Sequence, residues 1–134
     1  MRRRVAAAAL ALAVLTACGG TTSDGGPSTP GSSQSPAAVM VMAALCRLQT
    51  MPAPTAQASA VFFSVHDTLH GLAAQLDDAG RRAVAADVLQ ATAAVEAHVE
   101  GTETSVPWPT ATRNLVTTIQ GAYATLGEQA PTCS

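Results

Sequence analysis

The chain has 134 residues, of which 48% are hydrophobic and only 12% are charged. A charged share about half that of ordinary proteins, combined with abundant apolar residues, excludes a disordered polar chain and favours a folded domain. Lysine is absent, all seven cations are arginines, and only four residues are aromatic. Because the sequence has no basic stripe interleaved with aromatic residues, we expect no nucleic-acid partner.

The N-terminal segment has the pattern of an export signal. Three arginines at positions 2–4 precede an uncharged, mostly apolar run over residues 5–17. A membrane-spanning helix needs roughly 20 apolar residues, so this shorter run fits a signal peptide. The arginines also leave the twin-arginine route open, but the surrounding residues match that signal poorly and favour general secretion.

A short motif follows this run. The residues Leu15-Thr16-Ala17-Cys18, followed by two glycines, resemble the lipobox of bacterial lipoproteins. The resemblance implies that residues 1–17 are cleaved off and that Cys18 receives a diacylglyceryl thioether with acyl chains such as palmitate. It also implies anchorage at the extracytoplasmic face of the cell membrane. The alternative is an ordinary secretory signal in which Cys18 is incidental.

Residues 18–35 are predicted to form a disordered tether. The stretch behind Cys18 consists mainly of Gly, Ser, Thr and Pro, and Asp24 is its single charge. Such a segment buries too little surface to offset its ordering entropy, and about 17 residues reach roughly 20–25 Å as a random coil.

Loss of the leader leaves four arginines against nine carboxylates, a formal charge of −5. Membrane attachment should therefore depend on the lipid.

Residues 36–134 are predicted to form an all-α domain, a small up-down antiparallel helical bundle. A shorter first helix is expected to begin at Ser35 and Pro36, a favourable N-cap and first position, and to end before Pro52. A second helix is expected over residues 55–77. Its core stripe has the clearest helical spacing in the chain and comprises Ala58, Phe62, Val65, Leu69, Leu72 and Leu76.

Two further helices complete the predicted bundle. The third is expected over residues 79–100, with Asp77 and Asp78 capping its start and Gly101 closing it. The fourth is expected to open at Pro109 and to end at Gly127.

The two remaining cysteines are predicted to form a disulfide bond. Cys46 lies in the first helix and Cys133 lies next to the C-terminus. An even number of cysteines in an exported domain favours pairing. A pair of reactive thiols is the alternative, but the sequence has no Cys-x-x-Cys spacing to support it.

Two histidines raise a metal-binding hypothesis. His66 and His70 are four residues apart, so they project from adjacent turns on one side of a helix. If the second and third helices turn back near residues 78 and 79, Asp87 lies level with His70 and completes a three-ligand set, whereas His98 lies too far along the axis. The competing interpretation is that both histidines are ordinary residues at the boundary of the core.

Two aromatic residues are candidates for a partner surface. Phe63 falls off the core stripe and forms a second strip with His66, His70 and Ala73, which either packs on the first or fourth helix or remains exposed to a partner. Trp108, between two prolines, either closes the end of the bundle or anchors a partner.

The sequence contains no phosphate-binding loop, nucleophile elbow or paired-carboxylate motif, so we expect no catalytic activity and no cofactor. Two functions remain. The first is a membrane-anchored, non-enzymatic binding or accessory module of the cell envelope. The second is an envelope protein that binds a divalent transition metal through His66 and His70.

Overall fold

The computed structural model describes residues 34–102 and 104–134, which form four α-helices and, within these ranges, no strand. The helices are α1 (Pro36–Thr50), α2 (Ala56–Asp78), α3 (Arg82–Val99) and α4 (Trp108–Thr125). The main packing pairs are α1 with α2, α2 with α3, α3 with α4, and α1 with α4. Short connections make successive helices antiparallel. The predicted up-down bundle, with one shorter and three longer helices, is confirmed.

The predicted signal peptide over residues 1–17, Cys18 and nearly all of the tether lie outside the described residues. Among the helices that the structure does describe, none is both long enough and apolar enough to cross a membrane.

Local capping fixes most helix ends where the sequence places them. The Ser35 side chain accepts a hydrogen bond from the backbone N–H of Ala38, and Thr55 does the same for Ala58 at the start of α2. Gly101 adopts a positive φ of 73° after α3, a conformation that glycine reaches without steric cost. α4 begins one residue earlier than predicted, at Trp108.

The turn between α2 and α3 differs from the prediction. α2 continues through Asp78, so the expectation that Asp77 and Asp78 cap α3 is wrong. Gly80, with a φ of 75°, reverses the chain, while the N–H of Arg81 donates to the carbonyl of Leu76. This is a Schellman ending, which satisfies carbonyls at the end of α2. Asp77 instead pairs with Arg82, with 3.3 Å between Oδ1 and Nε.

One continuous core fills the space between the helices. Its large members are buried aliphatic side chains from all four helices, together with the aromatic residues Phe62, Trp108 and Tyr123. The six predicted core residues of α2, from Ala58 to Leu76, are all buried. The 4-3-4 spacing therefore identified the inward face of this helix correctly.

The C-terminal tail after α4 is attached to α1. The predicted disulfide between Cys46 and Cys133 is present, with 5.3 Å between the two Cα atoms. The Ser35 hydroxyl donates to Oε2 of Glu128 at 2.8 Å. Burial, together with the negative charge of Glu128, raises the pKa of the Tyr123 hydroxyl above its ordinary value. The tail thus joins the start and the middle of α1 to the end of α4.

Candidate functional site

Phe63 is a large aromatic side chain exposed on the side of the bundle. It is 46% exposed, whereas the neighbouring Phe62 is completely buried. The two residues differ because successive positions on a helix are rotated by about 100°, which points Phe62 to the core and Phe63 to solvent. An exposed aromatic residue on a well-formed helix is a common feature of binding surfaces.

A row of aromatic rings along α2 holds Phe63 in place. Phe62 and Phe63 meet edge to face with ring centroids 5.3 Å apart, and the ring of His66 lies 5.7 Å from Phe63. The row continues to His70, whose centroid is 4.6 Å from that of His66. Aromatic contacts at these distances are favourable. Phe63 is therefore supported on one side by the core and on the other by an imidazole.

The row faces α3. Nε2 of His66 lies 3.3 Å from Oε1 of Glu96, close enough for an ion pair when the imidazole is protonated. The same nitrogen is buried and has no hydrogen-bond partner, because the direction of the Glu96 contact does not meet hydrogen-bond geometry. The strip was expected to pack on the first or fourth helix or to remain exposed. Phe63 and His70 remain exposed, as the second alternative predicted, whereas His66 borders α3 and Ala73 belongs to the core.

The exposed surface beside this row combines apolar and acidic groups. We call it the α2–α3 patch and define it by Phe63, His66, His70, Leu89 and Glu96. Leu89 is 42% exposed and lies seven residues before Glu96, on the same face of α3. Leu89 and Glu96 were not predicted from the sequence, because the spacing of residues within α3 does not indicate which side of that helix borders α2.

Further acidic groups surround the patch. Asp67 is fully exposed next to His66, with 3.5 Å between Oδ1 and Nδ1. Glu100 follows Glu96 by four residues, one turn along the same side of α3. Between Ala56 and Val99 the only lysine or arginine residues are Arg81 and Arg82, at the far end of both helices. The half of the patch around Phe63 is therefore negatively charged.

The predicted three-ligand metal set is wrong in its third member. Asp87 lines an open groove of about 650 Å³ between α3 and α4, on the side of α3 that faces away from α2. No group of three His, Cys, Asp or Glu side chains in the described residues is arranged to hold a metal ion. His66 and His70 do lie side by side as predicted.

The later hairpin turn and the rotation of α3 together explain this error. The chain reverses around Gly80, between Ala79 at the end of α2 and Arg81 before α3, rather than between residues 78 and 79. When the turn lies later in the chain, a given residue of α2 is level with a residue further along α3. Each residue of difference corresponds to about 1.5 Å along the helix axis. Glu96 lies opposite His66. Asp87, nine residues before Glu96, is rotated by about 180° from it and therefore faces α4.

Trp108 closes one end of the bundle instead of offering an exposed anchor. Its side chain is only 5% exposed, and Nε1 donates to the carbonyl of Met51 at 2.8 Å. His98 packs edge-on against the indole, and its Nε2 contacts the carbonyl of Val106 at 2.6 Å. The interpretation of Trp108 as a partner anchor is therefore wrong, since the indole is already enclosed.

Comparison of the chain with protein-family models, with curated proteins and with solved structures finds no match. The geometry of the α2–α3 patch and the N-terminal motif are thus the observations that bear on function.

Proposed function

We propose that the protein is a lipid-anchored module of the cell envelope that binds a partner protein through the α2–α3 patch and has no catalytic activity of its own. The observation that carries this proposal is the exposure of Phe63 on a rigid helix, beside buried Phe62 and the partly buried His66. A side chain fixed before binding loses little entropy when it enters a partner's pocket.

The charge around the patch defines the chemistry of the partner. Glu96, Glu100 and Asp67 lie around or beside Phe63, and no arginine or lysine lies on this half of α2 or α3. Like charges oppose association and complementary charges speed it. The partner surface should therefore present an apolar pocket for Phe63 flanked by lysine or arginine side chains.

The anchorage part of the proposal rests on the lipobox-like residues around Cys18. If Cys18 carries the lipid, Cys18→Ser removes the acyl chains, and we expect the protein to move from the membrane pellet to the soluble exported fraction. The measurement is fractionation followed by mass spectrometry of the N-terminus. Ser23→Ala, in the same tether, is the matched control and should stay in the pellet. A Cys18→Ser protein that still pellets quantitatively would contradict the anchorage.

The binding part is tested by photocrosslinking in cells. A photoreactive phenylalanine analogue at Phe63 should give one dominant crosslinked product, and the crosslinked peptide of the partner should contain lysine or arginine beside the modified residue. The same analogue at Thr117 serves as control, because this exposed position lies on α4, diagonal to α2.

The two parts fail in different ways. Equal crosslinking from Phe63 and Thr117, or none from Phe63 in a protein that fractionates with membranes, would reject the patch while leaving the anchor intact. A charge-reversing Glu96→Lys substitution should weaken the crosslink from Phe63, because it places a cation against the basic rim of the partner.

A further inference from the structure

The outward face of α1 is apolar and uncharged over its first three turns. Pro36, Met40, Ala43 and Arg47 follow one another at the spacing of a helix face, and all four are exposed. Met40 is the most exposed large hydrophobic residue among those described, at 54%, and Val39 beside it is 43% exposed. The face ends in the cation Arg47, and α1 contains no acidic residue.

The adjoining flank of α2 is uncharged over most of its length. Gln57, Ser64 and Gly71 follow one another on one exposed face of α2, and this row ends in the exposed Asp78. Two carboxylates lie near α1: Glu128 accepts a hydrogen bond from Ser35 at its start, and the C-terminal Ser134 follows Cys133, which is bonded to Cys46. The flank formed by α1 and α2 therefore differs from the α2–α3 patch, where Glu96 and Glu100 lie.

The position of α1 directly after the tether indicates that it lies near the bilayer. Ser35 is the N-cap of α1, and the predicted random-coil tether from Ser35 back to Cys18 would reach roughly 20–25 Å, which is less than the length of about 35 Å of the 23-residue helix α2. A lipid on Cys18 would thus keep the first turns of α1 close to the bilayer. Because the domain has an excess of carboxylates, an anionic bilayer repels most of its surface, and this repulsion is weaker at the two helices without acidic residues, α1 and α4. Of these two helices, α1 adjoins the tether and carries the exposed hydrophobic residues Val39 and Met40.

We propose that α1 docks on the surface of the anionic bilayer, with Val39 and Met40 at the level of the headgroups and Arg47 near the lipid phosphates. This inference rests on the proposed lipid anchorage. Two apolar side chains and one arginine bind a membrane weakly by themselves, but the anchor raises their local concentration at the surface. Docking through α1 leaves the α2–α3 patch accessible to a partner, since that patch lies on the other side of α2.

Fluorescence quenching by brominated lipids tests this orientation. The full lipidated chain carrying Met40→Trp is reconstituted into phosphatidylethanolamine–phosphatidylglycerol vesicles with brominated acyl chains. Leu89→Trp is the matched control, because Leu89 has a similar exposure and lies on α3, which is diagonal to α1. The signal of the buried Trp108 is subtracted with the unsubstituted protein. We expect a blue shift and a clear loss of emission for Met40→Trp, and neither for Leu89→Trp.

Sedimentation of the vesicles separates the possible failures. Protein that does not pellet with vesicles contradicts the lipid anchor and the docking together. Protein that pellets but shows equal quenching at both positions contradicts the docking alone. A blue shift of Met40→Trp that grows with protein concentration and is insensitive to bromine would show that α1 pairs with a second copy, which also overturns the proposal.

Discussion

Reduction of the disulfide between Cys46 and Cys133 is expected to lower the free energy of unfolding by about 4–5 kcal/mol, because the bond closes a very long loop in the unfolded chain. The two cysteines are 87 residues apart, so the bond constrains almost the whole helical domain. A small domain has a total stability of about 5–15 kcal/mol, and this loss would remove much of it. Urea unfolding followed by circular dichroism, with and without reductant, measures the difference.

A double substitution controls for effects of the reductant itself. The variant Cys46→Ser with Cys133→Ser should unfold at the same urea concentration as the reduced protein and should not respond to reductant. Hydrogen exchange should also rise at the backbone amide of Glu128, whose N–H otherwise donates to the carbonyl of Tyr123, because the released tail holds the end of α4 less firmly. Identical urea midpoints for the oxidised and reduced proteins would contradict the prediction.

The adjacent residues Phe62 and Phe63 should respond very differently to truncation. Phe62→Ala is expected to lower the free energy of unfolding by about 3–5 kcal/mol, because it leaves a cavity in a packed core. Phe62 is 0% exposed and Phe63 is 46% exposed. Phe63→Ala loses mainly its edge contacts with Phe62 and His66, and should cost less than about 1 kcal/mol. Chemical denaturation of both variants at one pH checks this contrast.

The same pair separates stability from binding. Phe63→Ala should abolish association with the partner identified by crosslinking while leaving the fold intact. Phe62→Ala, examined under conditions where it remains folded, should weaken association less. If the two variants lose similar stability, Phe63 contributes to the core and is unsuited to the proposed patch.

Opposite flanks of α2 carry the two proposals. The α2–α3 patch is apolar and acidic, whereas the opposite flank of α2 is uncharged as far as Gly71 and adjoins α1, whose exposed face is apolar and ends in Arg47. A module held at a membrane needs one surface for the bilayer and another for its partner. Replacement of Met40 by an acidic residue should weaken the docking of α1 on the bilayer. Replacement of Phe63 should weaken the binding of the partner to the α2–α3 patch.

Local signals in the sequence predicted the helices well. Ser35 followed by Pro36, the core spacing of α2, and Gly101 after α3 depend on backbone geometry and side-chain period within a few residues. The pairing of Cys46 with Cys133 also followed from the sequence, because only these two cysteines remain in the domain. The all-α bundle needed no information beyond these patterns and the lengths of the loops.

The tertiary structure decided which side chains meet. The turn at Gly80 and the rotation of α3 about its axis together place Glu96 opposite His66 and Asp87 in the groove between α3 and α4. Each residue along a helix adds 1.5 Å of rise and about 100° of rotation, so a small error in the turn changes every pairing between neighbouring helices. The enclosure of Trp108 by His98 and Met51 likewise required two loops to meet at one end. The spacing of residues within one helix therefore determined which side chains are buried in the core. The contacts between helices determined which side chains form the α2–α3 patch.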